Sequence, residues 1–152
     1  MDNAIRPRDS NLILHGHNMK NASMFGRLAR LNEPAIWKAE PFLTFDTLYQ
    51  DSAYLPYAVT VFSVNPSSDR FFDVIAPNFD SAQAMGAYVN WLRARSMLVF
   101  PTEVSANDRL LTLVTCHGLD PDERLAVALR ALRPGEDREA LARQLGEGVR
   151  KP

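Results

Sequence analysis

The chain has 152 residues, of which 17 are basic and 18 are acidic, so its formal net charge is −1. This length suits one domain with a sizeable core, and 46% hydrophobic with 23% charged residues is typical of a globular protein. The near-neutral charge gives no support to nucleic-acid binding, which usually needs a basic surface. A single cysteine excludes an internal disulfide and a multi-cysteine metal site. No apolar run is long enough to span a bilayer, and residues 1–8 lack the apolar core of a secretory signal.

The first half of the chain has the pattern of short strands with one short helix. A run of apolar residues that ends at Gly16 predicts a buried strand over residues 11–17. Apolar residues at three- and four-residue spacing then predict a short amphipathic helix over residues 24–31. Segments rich in β-branched and aromatic residues predict three further strands, over residues 42–45, 57–64 and 71–75.

The second half begins with a change of period. Apolar residues on one stripe predict a helix over residues 81–96, with Asp80 as its N-cap and Gln83 completing a capping box. Residues 109–116 return to the pattern of a strand. Short strands with one long helix inserted late favour an antiparallel, barrel-like sheet over alternating β-α units.

The segment over residues 124–132 is ambiguous between strand and helix. Its large apolar side chains alternate with other residues, as in a half-buried strand, yet Ala, Leu and Arg are good helix formers. The preceding Asp120-Pro121-Asp122-Glu123 also has the pattern of a helix start, so local propensity alone favours a helix. After Pro134 the pattern predicts a solvated terminal helix.

Cys116 is the first candidate catalytic residue. A lone cysteine at the end of a strand is most often a small buried hydrophobic residue. Here polar residues surround it, with Thr115 before it and His117 and Gly118 after it. A thiolate nucleophile needs a nearby base or another feature that stabilises the charge, and this polar context favours that interpretation.

The chain has three histidines, His15, His17 and His117. His117 is a poor geometric partner for Cys116 because neighbours on a strand point to opposite faces. His15 and His17 would share a face of the first strand, and His17 lies where that strand ends, a place where functional groups are often displayed. The alternative for His17 is a solvated loop histidine. No set of ligands at zinc spacing is present in the sequence.

Arg124 becomes a candidate through strand geometry. If residues 109–116 and 124–132 form adjacent antiparallel strands, Cys116 and Arg124 lie at the same end of the pair. Directly opposed Cβ atoms in such a pair are about 5 Å apart. A guanidinium beside a thiol can stabilise an oxyanion as a thiolate attacks a carbonyl. The alternative is a surface arginine that pairs with Asp122 or Glu123.

These residues, taken in order, resemble the class B sortases. Residues 13–19, followed by Ser23-Met24-Phe25-Gly26, resemble the family segment around its essential histidine. Thr112-Leu113-Val114-Thr115-Cys116 matches the family signature Thr-Leu-Xaa-Thr-Cys, and Arg124 stands where the family has its essential arginine. The helix over residues 81–96 resembles the helix that distinguishes class B. The resemblance covers residues 11–132.

The resemblance implies a mainly β fold: a closed or partly open antiparallel or mixed barrel, with a helix inserted before the strand that carries the cysteine. It also implies that residues 124–132 form a strand, against their local propensity. We expect residues 1–133 to form the catalytic domain and residues 134–152 a polar, helical tail. The family's membrane anchor, N-terminal helices and first barrel strand would then precede residue 11, so we expect the chain to be N-terminally truncated.

The resemblance also implies the chemistry. Cys116 would attack the threonine carbonyl of an Asn-Pro-Xaa-Thr-type sorting signal and form a thioacyl enzyme, Arg124 would support the oxyanion, and His17 would transfer protons to and from the amines. Thr115 would line the site. The acceptor would be an amine of the cell wall or of a pilin, on the outer face of the bacterial membrane. No cofactor and no metal would be needed.

Two site positions depart from the family pattern. His15 stands where class B commonly has a tyrosine, and Val114 fills a position that is often serine, so one polar contact to substrate is expected to be lost. Two other classes of function compete with the transpeptidase. One is a cysteine peptidase or amidase that releases its acyl enzyme to water, and the other is a non-catalytic or decayed peptide-binding fragment.

Overall fold

The computed structural model describes residues 10–16, 25–47 and 50–152. Within these ranges, five strands form one sheet: β1 (Asn11–His15), β2 (Leu43–Thr47), β3 (Gln50–Ser63), β4 (Leu110–Cys116) and β5 (Glu123–Ala131). A 3-10 helix (Phe25–Asn32) and three α-helices surround it: α1 (Pro34–Ala39), α2 (Ala82–Ala94) and α3 (Arg138–Gly148). No helix among the described residues is long and apolar enough to cross a membrane.

The sheet is mixed and has the order β1-β4-β5-β3-β2. β1 pairs in parallel with β4, whereas the other three pairs are antiparallel. The sheet curls into half of a barrel, and α2 is inserted before the strand that carries the cysteine. The predicted fold class, a mainly β and partly open barrel with this inserted helix, is therefore confirmed.

Two hydrophobic clusters cover the two faces of the sheet. On one face, which we call the α2 face, α2 packs Met85, Val89 and Leu92 against side chains such as Ile13 and Ala126. On the other face, the 3-10 helix, α1 and α3 contribute Leu28, Trp37 and Leu145, which pack against β4 and β5. The tail beyond Pro134 does form a helix, but its Leu145 is only 1% exposed and belongs to the core.

β5 is a strand, as the resemblance implied and local propensity did not. It lies between β3 and β4, so both of its edges are paired. Both of its faces are covered as well: Ala126 and Ala128 face α2, and Leu125 and Val127 lie in the opposite cluster. Because this burial is available only to an extended segment in the middle of the sheet, tertiary packing overrides the helical preference.

The strand predicted over residues 71–75 does not form. One isolated bridge pairs Phe71 with Ser63, and the following residues have no regular structure. Their apolar side chains serve a different purpose: Phe72 stacks on Trp91 of α2 with 4.2 Å between ring centroids, and Val74 is buried. The Val74 carbonyl accepts a hydrogen bond from the Tyr88 hydroxyl at 3.0 Å instead of a strand partner. The hydrophobic pattern here reflects packing under α2.

β3 is longer than predicted because it begins at Gln50 and not near residue 57. Pro56 lies inside it, and the pairing with β5 shifts register between Pro56 and Ala58. A proline lacks the N–H that a ladder needs, so a register shift is the usual way for a strand to continue through one.

The N-cap of α2 is Ser81, not the predicted Asp80. The Ser81 hydroxyl accepts a hydrogen bond from the Ala84 N–H at 3.1 Å, which satisfies one of the free donors of the first turn. We expect Ser81→Ala to lower the free energy of unfolding by about 1 kcal/mol, the usual value of such a cap. Urea denaturation measures this change. Asp80→Ala is the matched control, and an equal loss in both variants would contradict the assignment of the cap.

A group of paired charged side chains lies at the end of β5 that is far from Cys116. The Arg130 guanidinium, 2% exposed, holds both carboxylate oxygens of Glu136 at 2.7 and 3.0 Å. Arg133 binds both oxygens of Asp108 at 2.8 and 2.9 Å. Each buried charge is therefore paired through two hydrogen bonds, which is the condition under which burial of charge is tolerated.

This pairing makes stability depend on pH. The hydrogen bonds from Arg130 are the main cause that holds the pKa of Glu136 below its ordinary value of about 4.3. Because the folded pKa is lower than the unfolded one, the stabilisation is fully present above that ordinary value. It is lost as the pH falls through the folded pKa. We therefore expect the free energy of unfolding to decrease as the pH is lowered below about 5. Glu136→Gln should make this decrease less steep.

The measurement is urea denaturation between pH 3 and pH 7. Glu136→Gln should also be less stable at pH 7, because the buried Arg130 loses its counter-charge. The matched control is Glu147→Gln on the exposed side of α3, which should leave stability at pH 7 unchanged. The same steepness of acid unfolding in Glu136→Gln and in the parent chain would show that this ion pair is not the source of the pH dependence.

Candidate active site

Cys116 is the last residue of β4, and its register partner on β5 is Arg124. The thiol is exposed, although the six residues before it in the strand are all buried. The two residues lie directly opposite each other, which in an antiparallel pair places their Cβ atoms about 5 Å apart on the same face. The structure thus brings together two of the three predicted catalytic residues, in the arrangement that strand adjacency predicted.

The alternation of β4 assigns each of its residues to a face. Thr112 and Val114 alternate with Cys116 in register and share the α2 face, where Val114 is buried in the cluster under α2. Thr115 points the other way and is 3% exposed, and its hydroxyl has no hydrogen-bond partner among the residues that the structure describes. The Thr115 side chain therefore lies on the opposite face of β4 from the Cys116 side chain. The substrate contacts of Val114 and Thr115 stay predictions.

The histidines are described only in part. His15 ends β1, is exposed, and pairs in register with Val114, two residues before Cys116. It therefore lies on the strand beside the cysteine strand, and its predicted contact with a substrate stays a prediction. His17 and the family-like segment around it lie outside the described residues, so its role as the proton-transfer group stays a prediction.

The guanidinium of Arg124 is oriented by main-chain carbonyls of the loop that joins β4 to β5. Its Nη1 donates to the Pro121 carbonyl at 2.7 Å and to the Glu123 carbonyl at 3.0 Å. The expected alternative, a surface pair of Arg124 with the Asp122 or Glu123 carboxylate, does not form; the Glu123 carboxylate pairs with Arg70 at 2.9 Å. A guanidinium held by carbonyls keeps its positive charge uncompensated by a neighbouring carboxylate.

A polar network that the sequence patterns did not reveal lies in the core on the α2 face, toward the start of β1 and β4. The Thr112 hydroxyl donates to the side-chain carbonyl of buried Asn11 at 2.9 Å, and the Asn11 amide donates to the Ala76 carbonyl at 3.1 Å. Burial is the main cause that raises the pKa of nearby Tyr88, whose hydroxyl reaches Val74. The network connects β1, β4 and the segment before α2. Polar residues inside apolar runs are the only sequence signal that could have indicated it.

The described residues contain no group of three or more His, Cys, Asp or Glu side chains that could hold a metal ion. A cavity of about 240 Å³ is lined by Arg130, Arg133 and Glu136, among others, and lies at the opposite end of β5 from Arg124. The side chains of Arg130, Arg133 and Glu136 are already engaged in the ion pairs described above, so this cavity is not the candidate site.

No family model matches the chain. The curated sortase B of Listeria monocytogenes is 30% identical over 108 residues, which are 71% of this chain and 42% of that protein. Sortase B of Staphylococcus aureus is 22% identical over 133 residues, 86% of this chain and 52% of that protein. The chain thus spans about half the length of the curated relatives it matches.

Solved structures give the same relationship. The crystal structure of Staphylococcus aureus sortase B has a TM-score of 0.75 at 18% identity, covering 86% of this chain and 60% of that one. Sortase B from Bacillus anthracis has a TM-score of 0.70 at 25% identity, covering 86% of this chain and 57% of that one. Together with the curated matches, this shared fold confirms the prediction from the motifs: the chain is a homologue of the class B sortases.

Proposed function

We propose that the chain carries the catalytic site of a sortase-type cysteine transpeptidase. One observation carries the proposal: the exposed Cys116 thiol lies directly across from Arg124, at the shared end of β4 and β5. This arrangement places a nucleophile beside a permanent positive charge that presents planar N–H donors. The homology to sortases B supports the same class of reaction.

In the first step, the proton of the Cys116 thiol resides on His17, the Cys116 thiolate attacks the threonine carbonyl carbon of a sorting signal, and the carbonyl oxygen becomes an oxyanion. Arg124 stabilises this charge. Because the charge is absent from the bound substrate and develops as the reaction proceeds, this stabilisation contributes directly to the rate. The C–N bond then breaks, His17 protonates the departing amine, and a thioester to Cys116 remains.

In the second step, an acceptor amine attacks the thioester carbonyl. His17 now removes the proton that the amine loses, the C–S bond breaks, and the sulfur leaves with its electron pair. The product contains a new amide bond, and the enzyme returns to its starting state. The reaction needs one group that both gives and accepts a proton near neutral pH, which is the property of histidine.

Structures of the relatives support a proposal for the substrates. Solved structures include a Staphylococcus aureus sortase B–substrate complex and a sortase B complexed with triglycine. We propose for this chain a sorting-signal peptide of the Asn-Pro-Xaa-Thr type as acyl donor. The acceptor is an amine of a peptidoglycan cross-bridge or of a pilin. The corresponding location is the outer face of the bacterial membrane.

Intact-protein mass spectrometry tests this function. The chain is incubated with an Asn-Pro-Xaa-Thr peptide extended beyond the threonine, and we expect a mass increase equal to the acyl part on Cys116. Addition of triglycine should remove the adduct and yield the peptide joined to triglycine. An adduct that yields only hydrolysed peptide in the presence of triglycine would favour the cysteine peptidase. No adduct with any peptide of this type would favour the non-catalytic binding fragment.

A further inference from the structure

The loop over residues 117–122 connects the two residues of the candidate site, so its conformation sets their relative position. We propose that the ion pair between Arg70 and Glu123 holds this loop and thereby aims the Arg124 guanidinium at Cys116. Arg70 and Glu123 are in this sense positioning residues. The inference rests on the proposed function for its kinetic consequence, but its structural part can be tested without turnover.

The direction of the Arg124 side chain is set by main-chain carbonyls at the end of the loop. Its Nη1 donates to the carbonyls of Pro121 and Glu123, at 2.7 and 3.0 Å. Because both acceptors are main-chain groups, the guanidinium follows any displacement of residues 121–123. A shift of about 1 Å in such a group is enough to reduce the rate of a positioned reaction severely.

Contacts from outside the loop hold residues 121–123 in place. The Val64 N–H donates to the Asp122 carbonyl at 2.9 Å, and the Asn65 side-chain amide reaches the Asp122 carboxylate at 3.3 Å. The Arg70 Nη2 lies 2.9 Å from Glu123 Oε1. All three contacts come from the segment that follows β3, over residues 64–70. The loop of the candidate site is therefore fastened to a separate part of the chain.

Glu123 directly follows the loop and also contacts its first two residues. Its main-chain carbonyl accepts a hydrogen bond from the His117 N–H at 3.1 Å, directly after Cys116. Its Oε2 lies so near Gly118 that a Cβ at that position would be 2.9 Å away. Gly118 also has a φ of +66°, which other residues rarely adopt. The Glu123 carboxylate thus packs against the start of the loop while Arg70 holds its other oxygen.

The ion pair is unequal in exposure, with the Arg70 side chain 52% and the Glu123 side chain 16% exposed. Exposed ion pairs contribute little to global stability. Loss of this pair should therefore alter the loop more than the fold, and this difference separates a positioning role from a merely structural one.

Charge-selective labelling of the single cysteine provides the test. An anionic methanethiosulfonate reagent should react faster relative to a cationic one when Arg124 points at the thiol. At low ionic strength a charge about 6 Å away changes this ratio by about tenfold. Arg124→Gln gives the ratio without the guanidinium, and Arg143→Gln on the exposed surface of α3 is the matched control.

The sign of the effect in Glu123→Gln decides the inference. Removal of a nearby negative charge would by itself raise the anion-to-cation ratio. If Glu123 instead aims Arg124, the ratio falls toward the value of Arg124→Gln, and the double variant Arg70→Glu/Glu123→Arg recovers it. Melting temperatures near that of the parent chain show that these variants fold. A ratio that rises or stays unchanged in Glu123→Gln would overturn the inference.

Turnover provides the second readout. Glu123→Gln should lower kcat by about tenfold with little change in KM, because the oxyanion donor is misplaced and an interaction made only in the transition state is lost. A variant that raises KM and keeps kcat would also overturn the positioning role. If the parent chain forms no thioacyl adduct at all, the proposed function fails, while the labelling ratio still reports whether the ion pair aims Arg124.

Discussion

Replacement of Cys116 by alanine is expected to abolish both thioacyl formation and transfer, with a loss of at least about 10⁴-fold in turnover. No other thiol exists in the chain, so no neighbouring sulfur can take over the attack. Removal of a nucleophile from a preorganised site leaves only the contribution of the remaining groups and of binding. The measurement is the formation of peptide–triglycine product, together with the mass of the protein after incubation with the peptide.

The fold should tolerate this change. Cys116 is exposed at the end of β4, so Cys116→Ala removes little buried surface, and its melting temperature should match that of the parent chain. Cys116→Ser is a second variant. It replaces the thiol by a hydroxyl of similar size that is a far weaker nucleophile. Residual product above about 1% of the parent rate in Cys116→Ala would exclude the cysteine as the nucleophile.

Arg124→Lys is expected to lower kcat by about 100- to 1,000-fold although the positive charge is kept. In the structure, one terminal nitrogen of Arg124 is bonded to two carbonyls of the loop. The planar fork leaves other N–H groups in a fixed direction, whereas a single ammonium cannot hold the loop and present a second oriented donor. Loss of one oxyanion donor typically costs this much in turnover.

The measurement is steady-state transfer to triglycine, with a thermal unfolding curve for each variant. Arg143→Lys on the exposed surface of α3 is the matched control for the loss of a guanidinium and should keep the parent rate. Turnover of Arg124→Lys within threefold of the parent chain would mean that Arg124 acts only as a charge, and the proposed oxyanion role would be wrong.

Much of the candidate site follows from the order of residues along the chain. The alternation of side chains on a strand separates His117 from Cys116 and predicts that His15 and His17 share a face, without any knowledge of the fold. The opposition of Cys116 and Arg124 required one further assumption, that their segments are adjacent antiparallel strands. The register of β4 and β5 confirms it.

The contacts that orient the site could not be inferred in this way. Arg70 lies 53 positions before Glu123 in the sequence, and the two meet because the segment after β3 folds back against the loop after β4. Each is an ordinary charged residue in its local context. Only the tertiary arrangement distinguishes this pair from other combinations of the 17 basic and 18 acidic residues.

Features that depend on local pattern could be predicted from the residues alone: the strands of the sheet with strong β-branched and aromatic content, the stripe of α2, and the spacing of the motif residues that indicated the family. Features that depend on burial could not, because they are set by packing between distant segments. The tertiary structure made β5 a strand because a central position buries both of its faces, and it left residues 72–76 without a ladder because their side chains pack under α2. It also placed Leu145 of the C-terminal helix in the core. In each case the free energy of burying apolar surface across the whole domain exceeds the small conformational preference of the individual residues.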